Sequence, residues 1–201
     1  MNIKQLSLGE NIENLNDNDK DKVKEKGLEI THKSENNFDG IIKYLENKYG
    51  ENIIQQGIIS IEVSSNNYPG NTYLGLPENL INYNWEYGFY SRNVLNSWFE
   101  VNFKNNKVKI NGYSLKTAGY FQNENHLKSW VIEGSNDRSN WTEIDKKENN
   151  YDLYSHNQKY FPISQLIDEF QFIRIRNIGK NHSDEDCLVL VNFEFYGEIS
   201  I

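Results

Sequence analysis

The chain has 201 residues, a formal net charge of −8, 37% hydrophobic and 13% aromatic side chains. This is a globular composition with enough length for one sizeable core, and its acidity argues against nucleic acid or an anionic membrane as a general partner. The single cysteine, Cys187, excludes an internal disulfide, and no stretch approaches the apolar length of a membrane span.

Residues 1–37 are polar and charge-mixed, with NDNDKDKVKEKG as the extreme, and read as a lead-in that is partly disordered or loosely docked. Asp17, Asp19 and Asp21 alternate as in a calcium loop. The positions that must then be Gly and Glu hold Lys22 and Leu28, which rejects it. The N-terminus lacks the apolar core of a secretion signal, and with the lone cysteine this predicts a cytoplasmic protein.

In the next segment, 38–52, Phe38, Ile41, Ile42, Leu45 and Tyr49 recur at helical spacing. Asn36 or Asn37 can cap the start and Gly50 suits the end, so the pattern predicts an amphipathic helix over 38–49, docked on the domain that follows.

From 53 to 201 the signal is β. SWFEVNF alternates, with Phe99, Val101 and Phe103 on one face, and KVKINGYSLKT alternates through Val108 and Ile110. SWVIEGS, EFQFIRIRNIG and DCLVLVNFEFYG are further strong runs, and no helices alternate with them. The 31 asparagines suit turns and polar loops. The expectation is an all-β fold, an antiparallel sandwich or barrel. Within HLKSWVIEGSNDRSNWTEID, Trp130 shares a face with Ile132, Trp141 begins a return strand, and the polar run between has turn chemistry. This reads as a hairpin anchored in the core, with Trp98, Trp130, Ile132 and Trp141 buried.

No catalytic constellation is present, so an enzyme is not expected. The histidines are His32, His126, His156 and His182, and no histidine follows His182-Ser183-Asp184 to complete an iron site. Cys187 sits beside an apolar run and reads as a buried, inert thiol. Asp184, Glu185 and Asp186 offer hard oxygen donors. A solvated acidic loop is the preferred reading, with Asp184 and Asp186 as calcium candidates and no other cofactor expected.

The order of these segments resembles the discoidin domain, also called the coagulation factor 5/8 type C domain, of the galactose-binding-like superfamily. The resemblance rests on Trp98 to Phe103, Ser135 to Trp141, Gln171 to Ile175, and Glu194 with Tyr196 and Gly197, and covers about residues 53–197. Here Arg138 stands where the family hairpin has Gly, Gln171 replaces the first Arg of the late strand, and the terminal cysteine pair is absent. The GIIKYL helix is similar to the lead-in of intracellular discoidin-like domains of protist proteins. The resemblance implies a jelly-roll sandwich over 53–201 whose ligands meet loops at one end, here 66–84, 91–96 and 118–126. Those loops carry Arg92, Asn93, Tyr120, Phe121, Asn123 and His126 as candidate contacts. The expected function is a non-catalytic binding module for a protein partner, with carbohydrate binding through the same loops as the alternative. No feature sets an oligomeric state.

Overall fold

The computed structural model describes residues 27–50, 52–68, 76–117, 125–155, 157–165 and 168–200. Strands β2 (Ser60–Val63), β4 (Trp98–Asn102), β6 (Trp130–Ser135), β7 (Thr142–Lys147) and β9 (Phe172–Asn177) form one antiparallel sheet in the order β2-β4-β9-β6-β7. A second sheet, in the order β1-β11-β5-β8, is made by β1 (Leu28–Ile30), β5 (Lys107–Lys116), β8 (Gln158–Pro162) and β11 (Asn192–Ser200). A two-stranded ribbon pairs β3 (Phe89–Tyr90) with β10 (Val189–Leu190).

The two sheets pack face to face because each strand alternates apolar residues inward. Phe99 and Val101 on β4, Ile173 and Ile175 on β9, and Trp130 and Ile132 on β6 meet Phe193 and Phe195 on β11 and Leu115 on β5, all essentially inaccessible. Ring contacts cross this core: Phe99 to Phe193 at 4.6 Å, and Trp130 edge-on to Phe161 at 5.2 Å. The buried Trp130 indole N–H donates to the Tyr113 hydroxyl at 3.0 Å, and that hydroxyl donates to Asp145 at 2.6 Å. The polar end of the indole is thereby satisfied. On β11 the register shifts between Tyr196 and Gly197, where φ is +134°, and a Cβ there would lie 2.2 Å from the Lys109 carbonyl oxygen.

The structure corrects three expectations. Leu28–Ile30, assigned to the loose lead-in, is an edge strand paired with β11 from Leu28↔Ile199 to Ile30↔Gly197. The helix α1 spans Ile41–Tyr49 rather than starting at Phe38, and buries Ile41, Ile42 and Leu45. Its N-cap is Gly40, with no cap from Asn36 or Asn37.

The Glu194 carboxylate, from β11, caps α1 instead. It accepts the N–H groups of Gly40 (3.2 Å), Ile42 (2.9 Å), Lys43 (3.0 Å) and Phe195 (2.7 Å), and the Tyr83 hydroxyl at 2.8 Å. Burial pushes this carboxyl up to about 7, against the pull of those donors.

The third correction concerns the tryptophans. Trp130 is in the core, whereas Trp98 and Trp141 are half-buried on the outer face of the five-stranded sheet. There the Arg174 guanidinium lies over both rings, 3.8 Å from the centroid of Trp141 and 5.8 Å from that of Trp98. The β6–β7 hairpin itself is as expected, paired from Trp130↔Lys147 to Gly134↔Thr142. Arg138 occupies the left-handed region in its turn, with φ of +61°. Its side chain offsets the strain that Gly would avoid: it lies over Phe172 at 4.6 Å and bridges Glu100 at 2.8 Å and Glu62.

Candidate functional site: the long-loop end

The two ends of the sandwich differ. At one end short turns, such as 103–106 and 136–141, join consecutive strands. At the other end lie 91–97, 148–155 and 178–188, with the described parts of the 64–88 and 117–129 connections. Strands held in two packed sheets leave variable chemistry to such loops.

The described loops here are cross-braced. Asn93 Oδ1 accepts the Asp186 N–H at 2.7 Å, and Asn96 Oδ1 accepts Arg176 at 2.9 Å. The His182 N–H donates to the His126 carbonyl at 3.0 Å, and Asn150 N–H to that of Lys128 at 2.8 Å. Leu153 anchors the 148–157 loop in the core with no exposure. Asn96, Asn149, Ser155 and Asp184, four residues other than glycine with positive φ, all lie on these loops. Backbone strain of this kind persists where surrounding contacts over-determine it.

On this frame stands an aromatic cluster. Tyr151 and Tyr154 are 67% and 51% exposed. Each ring lies 4.9 Å from the His182 ring, and Lys128 Nζ is 6.0 Å from the Tyr151 centroid. His182 Nε2 meets the Asn150 carbonyl at 3.0 Å, which assigns the proton to Nε2 and leaves Nδ1 an acceptor. Burial, with the nearby Lys128 charge, holds the imidazole below its ordinary value, which favours the neutral form. Two exposed tyrosines beside an imidazole and an ammonium offer aromatic surface edged with hydrogen-bonding groups.

The residues expected from sequence divide among several places. Arg92 and Asn93 are exposed on 91–97, beside the exposed Val94 and Leu95. His126 is 5% exposed, its ring edge-on to Tyr154 at 6.3 Å, so it supports the cluster rather than presenting itself to a ligand. Tyr120, Phe121 and Asn123 lie outside the described residues. Part of the first loop folds inward, as its apolar residues allowed: a 3-10 helix at Pro77–Ile81 buries Leu80 and Ile81. Arg174 is structural, its Nε bonded to Glu133 at 2.9 Å.

Of the calcium candidates, Asp186 is paired with Lys180 at 2.9 Å, and Asp184 is exposed in the left-handed region. Among the described residues no three His, Cys, Asp or Glu side chains converge on a metal-sized point. Cys187 is buried, and burial pushes its thiol up to about 12. Among the described residues no helix is long and apolar enough to cross a membrane. Tyr151, Tyr154 and Lys128 were not anticipated. The signal available was NNYDLYSHN, two tyrosines in a stretch too polar to form a strand.

A family model described as the F5/8 type C domain matches residues 60–190, and the chain belongs to that family. Domains of this class are binding modules and do not catalyse reactions. No match to a curated protein was found. Among solved structures, CpGH89CBM32-5 from Clostridium perfringens, in complex with GalNAc-β-1,3-galactose, aligns at 13% identity. That alignment covers 70% of this chain and 96% of the other, with a TM-score of 0.57. The family 32 CBM of C. perfringens NanJ, in complex with galactose, aligns at 12% identity over 72% and 96%, with a TM-score of 0.52. A fucolectin from striped bass (Morone saxatilis) serum gives 14% identity over 70% and 47%, with a TM-score of 0.55. At these identities the likeness establishes the shared fold.

Proposed function

We infer that this chain is a carbohydrate-binding module that takes a galactose-type sugar at the long-loop end. This replaces the protein partner expected first from sequence with the alternative stated beside it. The observation that carries the reading is the exposed Tyr151–Tyr154 pair, braced by His182 on loops fixed from below. A pyranose presents C–H groups on one face and hydroxyls around its edge, so it gains from aromatic faces ringed by polar groups. Arg92 and Asn93, exposed on 91–97, belong to the same proposed surface. That three of the similar structures are lectin-like or sugar-bound modules supports the choice of ligand class.

A glycan array probed with the labelled chain tests this reading. Binding concentrated on galactose- or GalNAc-terminated glycans is expected. A featureless array, together with capture of a specific protein partner that is blocked by Tyr151→Ala, would favour the protein-binding alternative.

A further inference from the structure

A second concavity lies on the outer face of the four-stranded sheet. Its floor is one cross-strand row, Asn192 on β11, Lys116 on β5 and Gln158 on β8, set by the pairs Asn192↔Lys116 and Lys116↔Gln158. Helix α1 supplies one wall through Lys43 and Glu46, and the segment around the 3-10 helix, with Tyr83 and Asn84, supplies another. The groove is half open to solvent, with a volume of about 920 Å³. Helix α1 and Asn192 both lie outside residues 60–190, so the groove is built partly by segments the family match does not include.

Its chemistry is amide-rich. Lys43 is paired with Glu46 at 2.9 Å and Lys116 with Glu86 at 3.6 Å, so neither lysine presents an uncompensated charge. Asn52, Gln55, Asn82 and Asn84 join the floor amides in the lining, and each amide offers donors and an acceptor. Phe38 and Tyr83, with centroids 5.2 Å apart, add an apolar patch. Glu78, also in the lining, accepts hydroxyls and opposes anionic ligands.

One group in the floor lacks a partner. Asn192 is 1% exposed, and its Nδ2 donates to the carbonyls of Asn79 (3.4 Å), Leu80 (3.4 Å) and Asn82 (3.0 Å), which fixes the amide orientation. Its Oδ1 has no hydrogen-bond partner among the described residues. A buried acceptor left empty is costly, and it lies beneath the 79–82 segment that walls the groove.

We propose that this groove is a second ligand site, which takes a neutral oligosaccharide chain lying over Lys116 and Gln158, between α1 and the segment carrying Tyr83 and Asn84. Hydroxyls that both donate and accept match the amides, and ring C–H faces match Phe38 and Tyr83. The site does not depend on the loop-end reading.

The test is isothermal titration of the full chain with malto-, cello- and xylo-oligosaccharides, and with oligogalacturonate and a polar peptide as competing ligand classes. Gln158→Trp and Asn84→Trp each fill the groove from an exposed position, so misfolding of one variant leaves the other. At least one neutral oligosaccharide should bind, weakened about tenfold or more in the folded groove variants and unchanged in Tyr151→Ala. Absence of neutral binding, unchanged affinity in both groove variants, loss in Tyr151→Ala, or preference for the uronate or the peptide would each overturn the proposal.

Discussion

The Arg174 guanidinium carbon lies 3.8 Å from the centroid of the Trp141 ring, on the outer face of the five-stranded sheet. The same arginine faces Glu133 on β6 and Glu100 on β4 in register. With Glu62 on β2, the row Glu62–Glu100–Arg174–Glu133 crosses four strands. Arg138 reaches into it from the hairpin turn, and Arg176 adds a bond to Glu133 at 2.6 Å. The outer face is therefore held by charges and half-buried indoles while the inner face is apolar.

The two hairpin tryptophans should behave differently on truncation. Trp130→Ala removes a fully buried indole, and a loss of roughly 3–5 kcal/mol is expected. Trp141→Ala removes a half-buried ring and one cation–π contact, and about 1 kcal/mol is expected. Urea denaturation of both variants checks the order. Equal losses would place both rings in the core.

Glu194→Ala should destabilise the chain more than an ordinary surface cap. It leaves four N–H groups and the Tyr83 hydroxyl without their common acceptor, in a buried setting. A cost of at least about 2 kcal/mol is expected, with α1 loosened first. Hydrogen exchange of the Ile42 and Lys43 amides reads this directly. Unchanged protection would show that α1 is held by its apolar stripe alone.

The pH dependence has two opposite parts. Burial raises the Glu133 carboxyl, but the Arg176 and Arg174 hydrogen bonds outweigh it and the net shift is downward. A carboxyl lowered by folding contributes stability above its unfolded value of about 4.3, and loses it as pH falls through the folded value. The wild-type advantage over Glu133→Gln should thus shrink on acidification below that range. Glu194 runs the other way: burial holds it at about 7. Its contribution is full below about 4.3 and declines as pH rises toward 7. Stability of the wild type and of each Gln variant, measured from pH 3 to 8, separates the two. A Glu133 difference that grows on acidification would contradict the assignment.

Much of the sandwich is legible in single strands, because period-2 alternation reports which residues share a face. Phe99, Val101 and Phe103 are all buried, as SWFEVNF implied. Alternation does not report what covers the other face, so the sequence alone places Trp98 and Trp141 in the core, whereas Arg174 lies over them on the outer face. The helix start was missed for a related reason. Its cap comes from Glu194, 152 residues from the Ile42 amide it accepts, and no local pattern announces it. At the candidate site, Arg92 and Asn93 were legible from the loop order. Tyr151 and Tyr154 were not, since a polar stretch does not say which of its apolar side chains turns inward: here Leu153 is buried and the two tyrosines are exposed.

Chelation should leave sugar binding intact. Asp186 is committed to Lys180, and the described acidic side chains of that loop do not converge, so the expectation is equal glycan affinity with and without EDTA. Loss of binding in EDTA that is restored by added calcium would reinstate Asp184 and Asp186 as ligands.

The central claim is that the long-loop end binds the sugar. The most direct measurement is a nitrogen-15 correlation NMR titration of the full chain with galactose and with GalNAc-β-1,3-galactose. The account predicts shifts concentrated on the amides of Arg92, Asn93, Tyr151, Tyr154 and His182, abolished by the double change Tyr151→Ala and Tyr154→Ala. Shifts confined to the opposite turns, 103–106 and 136–141, or no shifts with either sugar, would contradict it.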